Sequence, residues 1–313
     1  MKRMLIYIIC LTALSCVAEI RTWTSTAGQT IEAEFLNVEN GRVILRGADG
    51  KRMNVSYDAL SEDDQAFIVE LYKKFKEETE KAKKEAEEQV EKEKAEKKAA
   101  FLAKWPPGKI VDRVTTNGTE TAYYVYIPSS FDPDNLPPLL YTFSPGGNGK
   151  GALRKVQQSA EKAGWIVVGC DKLQNNMEET TGHKIEDDLF SCVAADVPYD
   201  HKRVYLSGMS GGGMRSYQIA SRRQDLKFTG ILAFGGWIGG KVRQKDLKLP
   251  KGGGKVAIIN GDEDKNANSW VESDSETIRK KKWKVNVFNF LGGHIYPPAE
   301  IIDQAISWML EEP

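Results

Sequence analysis

The run Gly208-Met209-Ser210-Gly211-Gly212 sets one serine among glycines, directly after a short apolar stretch of strand type, Val204-Tyr205-Leu206-Ser207, and ahead of a helix-forming segment. A serine so placed stands on a sharp strand-to-helix turn with its hydroxyl clear of the sheet, and glycines at 208 and 212 let that turn pack tightly. The chemistry this suits is nucleophilic attack on a carbonyl. A serine hydroxyl is a poor nucleophile near neutral pH, so it needs a base, and the base needs a group that fixes its tautomer.

Of His183, His201 and His294, only His294 follows Ser210. It sits in Gly292-Gly293-His294, just past a strand pattern at Val285-Phe290, where an imidazole can reach over the end of a sheet. Between the two lies Val256-Ala257-Ile258-Ile259-Asn260, which leads into Gly261-Asp262-Glu263-Asp264-Lys265. Asp264 is the expected acid, because a loop needs a few residues to turn from the strand axis toward His294; Asp262 and Glu263 stay open as alternatives. Charge developing on the carbonyl oxygen calls for backbone N–H donors. Gly211 is one, and the loop Ser144-Pro145-Gly146-Gly147-Asn148-Gly149 supplies another, with Gly147 expected and Gly146 or Asn148 as alternatives. Trp237, Trp270 and Tyr296 lie beside these loops and suit stacking on a sugar or an aromatic acyl group; Trp237 and Tyr296 are taken as substrate-binding. This chemistry requires no metal or organic cofactor, and no His/Cys/carboxylate cluster has ligand spacing.

Positioning such residues takes a sheet. From about Gly108 to Pro313 strand and helix patterns alternate, which implies a largely parallel sheet covered on both faces, doubly wound with an antiparallel start. Strands are expected at 110–114, 122–127, 139–143, 166–170, 204–207, 230–234, 256–260 and 285–290, and helices near 152–163, 185–194, 214–223, 269–282 and 299–310. Ahead of this, residues 20–57 alternate apolar and polar between turn signals such as Asn40-Gly41 and Asp49-Gly50, as a small β meander does, and Ser61 can cap a following helix. Residues 70–104 then hold 11 Lys and 10 Glu without Gly or Pro. They read as one long helix with Glu-first pairs such as Glu77/Lys81 and Glu80/Lys84. Its apolar seam (Phe75, Ala82, Ala86, Val90) is thin for a coiled coil, so a solvated spacer is expected. Trp105-Pro106-Pro107-Gly108 stops it.

The chain of 313 residues suits two domains, and 44 Lys+Arg against 44 Asp+Glu leave no net charge to draw it onto nucleic acid or an acidic membrane. Lys2 and Arg3, an apolar run at 4–14 and small residues at 15–18 have the order of a secretory signal, too short to span a bilayer. The expected division is therefore a signal peptide at 1–18, a small β domain at 19–69, a helical spacer at 70–104 and a catalytic domain at 105–313, in a secreted or periplasmic protein. A lipoprotein acylated at Cys16 is the lesser alternative. Without the signal, Cys170 and Cys192 remain, as a disulfide or as two buried thiols.

Two family resemblances follow from these residues. Arg21-Thr22-Trp23, Gly28, Ala33-Glu34-Phe35, Asp49-Gly50-Lys51 and Leu60-Ser61-Glu62-Asp63-Asp64-Gln65 resemble the Sla-type homology domain, which implies an SH3-like barrel with a peptide or envelope ligand, or a barrel that only caps. Arg203 to Gly212, Phe234-Gly235-Gly236, Gly261-x-x-Asp264 and Gly293-His294 with Pro297-Pro298 resemble secreted esterases of the polyhydroxybutyrate-depolymerase and feruloyl-esterase type, within the α/β-hydrolase superfamily. The resemblance implies Ser210 as nucleophile, Asp264 as acid, His294 as base and the glycine loop as oxyanion site, in the chain order Ser, acid, His. It departs at Ser144-Pro145, where this family often has His-Gly. The expected activity is hydrolysis of carboxylic esters on small molecules, plant polysaccharides or polyesters. A prolyl-oligopeptidase-like peptidase and an inert, ligand-binding hydrolase fold stay open as rivals.

Overall fold

The computed structural model describes residues 20–311 and divides into two compact units between Lys97 and Lys98. The signal-peptide and lipoprotein expectations at 1–18 fall outside the described residues.

The smaller unit is built on β1 (Ile20–Thr24), β2 (Thr30–Glu39), β3 (Arg42–Gly47) and β4 (Arg52–Ser56), paired antiparallel in that order. Alternation sends Ala33, Val43 and Leu45 to one face, where they bury with Trp23, Leu60 and Ile68. This fits the small β domain expected. Helix α1 (Glu62–Lys104) starts where Ser61 Oγ accepts from Asp64 N (3.3 Å). Asp64, 2 % exposed, also accepts from Arg21 Nη2 and Thr24 N, each at 2.6 Å. The helix capped by Ser61 and the charged helix expected from residue 70 are thus one element, because Ile68 and the half-buried Phe67 use its first turns to close the small core. Along its charged stretch Glu70 and Lys74 form a Glu-first pair at 2.9 Å, as expected in kind, while Lys81 and Lys84 reach forward to Glu85 and Glu88 at 3.9 and 3.8 Å. These are exposed pairs and contribute little.

In the larger unit, β5 (Ile110–Val114), β6 (Ala122–Tyr126) and β7 (Leu139–Phe143) precede α2 (Gly149–Ala163). Then come β8 (Ile166–Cys170), α3 (Glu179–Asp196), β9 (Val204–Met209), α4 (Gly211–Arg222), β10 (Gly230–Phe234) and α5 (Lys241–Asp246). The chain ends with β11 (Lys255–Gly261), α6 (Lys265–Asn268), α7 (Val271–Lys280), β12 (Lys284–Phe290) and α8 (Ala299–Leu310). The strands form one sheet in the order β12-β11-β10-β9-β7-β8-β6-β5. β6 runs antiparallel to both its neighbours and the ladder from β8 to β12 is parallel. This is the doubly wound, mostly parallel sheet expected. Strands β7 to β11 are buried at every position, as helices on both faces require. α2 and α8 cover one face through Leu153, Val156, Ile302 and Ile306. α3, α4 and α7 cover the other through Leu189, Phe190, Tyr217 and Ile278.

Two local departures are informative. The helix expected at 269–282 is present as α7, and ahead of it stands a separate short turn, α6, which Asp264 caps, its Oδ1 accepting from Ala267 N at 3.1 Å. Short α5 was not expected from the sequence at all. Cys170 and Cys192 are buried free thiols, not a disulfide. Burial pushes the Cys170 thiol up, and Cys192 Sγ accepts from Thr116 N at 3.4 Å.

Candidate active site

Ser210 occupies the turn between β9 and α4 at φ 53°, ψ −117°, a region that side chains rarely adopt. Such a conformation costs on the order of 1–3 kcal/mol and persists only where its surroundings over-determine it. Here they do. Ser210 N donates to Phe234 O (2.8 Å) and Met214 N closes the first helical turn onto Ser210 O (3.0 Å). Glycines then allow the close approach: a Cβ on Gly212 would lie 2.1 Å from Phe143 O, and one on Gly208 would lie 2.5 Å from the Gly212 carbonyl carbon.

The loops that leave β11 and β12 are laced together. Asp262 N donates to Phe290 O (2.9 Å), Glu263 N to Gly292 O (2.9 Å) and Gly292 N to Asp262 Oδ1 (2.9 Å). This lacing brings Asp264 and His294, 30 residues apart, to 2.6 Å between Oδ2 and Nδ1. The Asp264 side chain is 3 % exposed and that of His294 42 %. Of the carboxylates left open, Asp262 is spent on the Gly292 backbone, and it and Glu263 are exposed. Gly235, at φ 53° directly after β10, lies against this pair: a Cβ there would sit 3.2 Å from Asp264 Oδ2 and from His294 Nδ1. The residues Phe234-Gly235 therefore touch both the serine turn and the Asp–His pair.

Ser210 and His294 line one cavity of about 550 Å³, whose other walls are Pro145, Lys155, Met209, Ile295 and Tyr296. Tyr296 is thus where a substrate contact was expected, and burial pushes its hydroxyl up to about 12. Trp237 and Trp270 are not among the lining residues. The segment after β10 is drawn away because Ile238 N donates to Asp274 Oδ2 of α7 at 2.9 Å. His183 pairs loosely with Glu179 (3.7 Å) and His201 packs on Tyr199, so neither belongs to this cavity.

The oxyanion loop is more constrained than its glycines suggest. Gly147 sits at φ 69°, and its N–H donates to Ser144 O (3.2 Å); Gly146 N donates to Ser144 Oγ (3.2 Å) and Gly149 N to Asp171 Oδ1 (2.7 Å). Asn148 Oδ1 caps α2 through Gly151 N (2.7 Å). Gly147 can therefore serve as a donor only if its bond to Ser144 opens. Gly211, at the first position of α4, has the N-terminal place that leaves an N–H without an intrahelical partner.

Sequence reasoning missed two neighbours of the site. Asn175 lies against Gly211, since a Cβ added there would meet Asn175 Oδ1 at 1.8 Å. Its loop is held by Asn175 N to Pro145 O (2.8 Å) and by Arg215 Nη2 to Gln174 O (3.1 Å). Lys155 enters the cavity from α2. Neither carries a motif; only the fold brings them here.

Residues 15–76 match the family model for SLA1 homology domain 1. A search of curated proteins found no match. Among solved structures, the Pyrobaculum calidifontis esterase aligns with a TM-score of 0.52 at 14 % identity, over 71 % of this chain and 92 % of that one. The S-formylglutathione hydrolase of Staphylococcus aureus aligns at 0.51 and 14 %, over 65 % and 98 %. Esterase 2 of Thermogutta terrifontis, phosphoramylated by tabun, aligns at 0.51 and 14 %, over 66 % and 96 %. The larger unit thus has the α/β-hydrolase fold of these esterases, and the N-terminal part of the chain carries an SLA1 homology domain 1.

Proposed function

We propose that the protein is a serine carboxylic-ester hydrolase. Ser210 Oγ attacks the ester carbonyl and gives its proton to His294 Nε2, while Asp264 holds the proton on Nδ1 and stabilises the imidazolium. The carbonyl oxygen, now negative, is met by Gly211 N–H and by a second donor from the 144–148 loop, Gly147 once its bond to Ser144 opens. His294 returns the proton to the departing alcohol, leaving an acyl group on Ser210. Water, deprotonated by the same imidazole, releases the acid and regenerates the serine.

One observation carries this reading: a buried carboxylate bonded at 2.6 Å to an imidazole that shares a cavity with a serine held at positive φ. We further take residues 1–18 as an export signal and the substrate as an ester of a small molecule, polysaccharide or polyester. A fluorophosphonate probe should label the wild type and not Ser210→Ala, and an ester panel of acetyl, feruloyl and hydroxybutyryl substrates should be turned over by the wild type alone. Labelling of Ser210→Ala, or the absence of labelling in a folded wild type, would remove the proposal.

A further inference from the structure

The charge pattern of the same cavity narrows the substrate, and this step rests on the esterase reading above. Apart from Ser210 and His294, the walls are Pro145, Met209, Ile295 and Tyr296, with Lys155 the single formal charge among the lining residues. Its ammonium stands 5.7 Å from the centre of the Tyr296 ring, a contact that favours holding the head group on this side of α2. Two other lysines of the same helix are neutralised: Lys150 pairs with Asp112 at 3.0 Å and Lys162 with Asp303 at 2.8 Å. Lys155 has no such carboxylate among the described residues. Asp264 turns its charge to His294, and Tyr296, its hydroxyl buried, supplies no negative charge. An unpaired ammonium beside a mostly apolar wall and a neutral nucleophile biases the cavity toward an anion.

We infer that the ester carries an anionic group, a carboxylate or one of like charge, which pairs with Lys155 Nζ while Ser210 attacks the carbonyl. The anion is unchanged in the reaction. The acyl–oxygen bond breaks, the alcohol leaves with the proton from His294, and water supplies the hydroxyl of the released acid.

Two matched pairs of esters test this on the full chain. Monophenyl adipate against phenyl hexanoate puts the charge on the acyl side, and 4-acetoxybenzoate against its methyl ester puts it on the alcohol side. In at least one pair, the ratio of kcat/KM for the anionic ester to that for the neutral one should fall about fivefold in Lys155→Met. It should fall further in Lys155→Glu and be retained in Lys155→Arg. The wild-type preference should also shrink as salt is raised to about 0.5 M, since exposed charges are then screened. The pair that responds identifies the side of the ester that carries the anion. Unchanged ratios in Lys155→Met and Lys155→Glu for both pairs overturn the inference and leave the esterase standing. A folded wild type that hydrolyses none of the four esters overturns the esterase reading and this inference with it.

Discussion

Replacing Asp264 with asparagine tests the site most sharply, because the native carboxylate serves two donors and the amide has only one acceptor. Oδ2 accepts from His294 Nδ1 at 2.6 Å and Oδ1 from Ala267 N at 3.1 Å, in a residue 4 % exposed. If the asparagine oxygen keeps Ala267, its NH2 faces Nδ1 and forces the imidazole proton onto Nε2, the atom that must accept from Ser210. If the oxygen instead keeps His294, the NH2 faces the Ala267 N–H. That loses the cap and leaves its buried donor unpaired, one event that costs about 1–3 kcal/mol. The first arrangement is then favoured by about 2 kcal/mol, a population ratio of roughly thirty. Most molecules hold the wrong tautomer, and kcat should fall about 10³- to 10⁴-fold with the fold intact. Asp262→Asn is the control: its carboxylate is exposed and accepts only Gly292 N, a bond the amide oxygen can keep, so activity should stay within about threefold. The assay is kcat/KM on a 4-nitrophenyl ester, with circular dichroism to check folding. If Asp264→Asn keeps a tenth of the wild-type rate, or if Asp262→Asn loses as much, the orienting role belongs elsewhere.

Gly235→Ala should lower kcat at least about tenfold and reduce Tm, since its Cβ would press to 3.2 Å on both Asp264 and His294 at a backbone angle that costs alanine about 1 kcal/mol; full activity by steady-state kinetics would contradict the packing described. Asp188 accepts from Asn117 N (2.9 Å), Thr119 N (2.9 Å) and Thr119 Oγ1 (2.5 Å). Burial opposes its charge, but these hydrogen bonds outweigh it and bring the carboxyl down to about 2. A pKa depressed on folding contributes stability that is present above the unfolded value of about 4 and is lost as pH falls through about 2. Asp188→Asn should therefore be less stable than the wild type at pH 6, and denaturant curves of the two should converge between about pH 4 and 2; a constant gap would count against the assignment. In the smaller unit, Asp64→Ala leaves Thr24 N and Arg21 without their buried partner, at a cost of about 2–4 kcal/mol. Hydrogen exchange across residues 20–60 should rise sharply, and unchanged protection would show that Asp64 is dispensable.

Why some of the site was legible and some was not comes down to which property of a residue the backbone uses. Ser210 could be read because its strained turn imposes a local demand: Gly208 and Gly212 must be bare, as the 2.5 and 2.1 Å approaches of an added Cβ make plain. The strands could be read for a similar reason, since burial on both faces forces continuous apolar runs in β7 to β11. Asp264 and His294 were placed by their position at strand ends, and parallel neighbours such as β11 and β12 bring consecutive strand ends to one rim. What escaped depends on orientation. The glycines of the 144–149 loop suggest free N–H groups, yet Ser144 accepts from two of them, which composition cannot reveal. Trp237 was expected at the cavity as an aromatic beside the catalytic loops, but Asp274, distant in the chain, accepts from Ile238 N and draws that segment toward α7. Lys155 is one lysine among several on an amphipathic helix. Only the packing of α2 beside the 294–298 loop distinguishes it, and so the specificity of the cavity depends on the least legible of its residues.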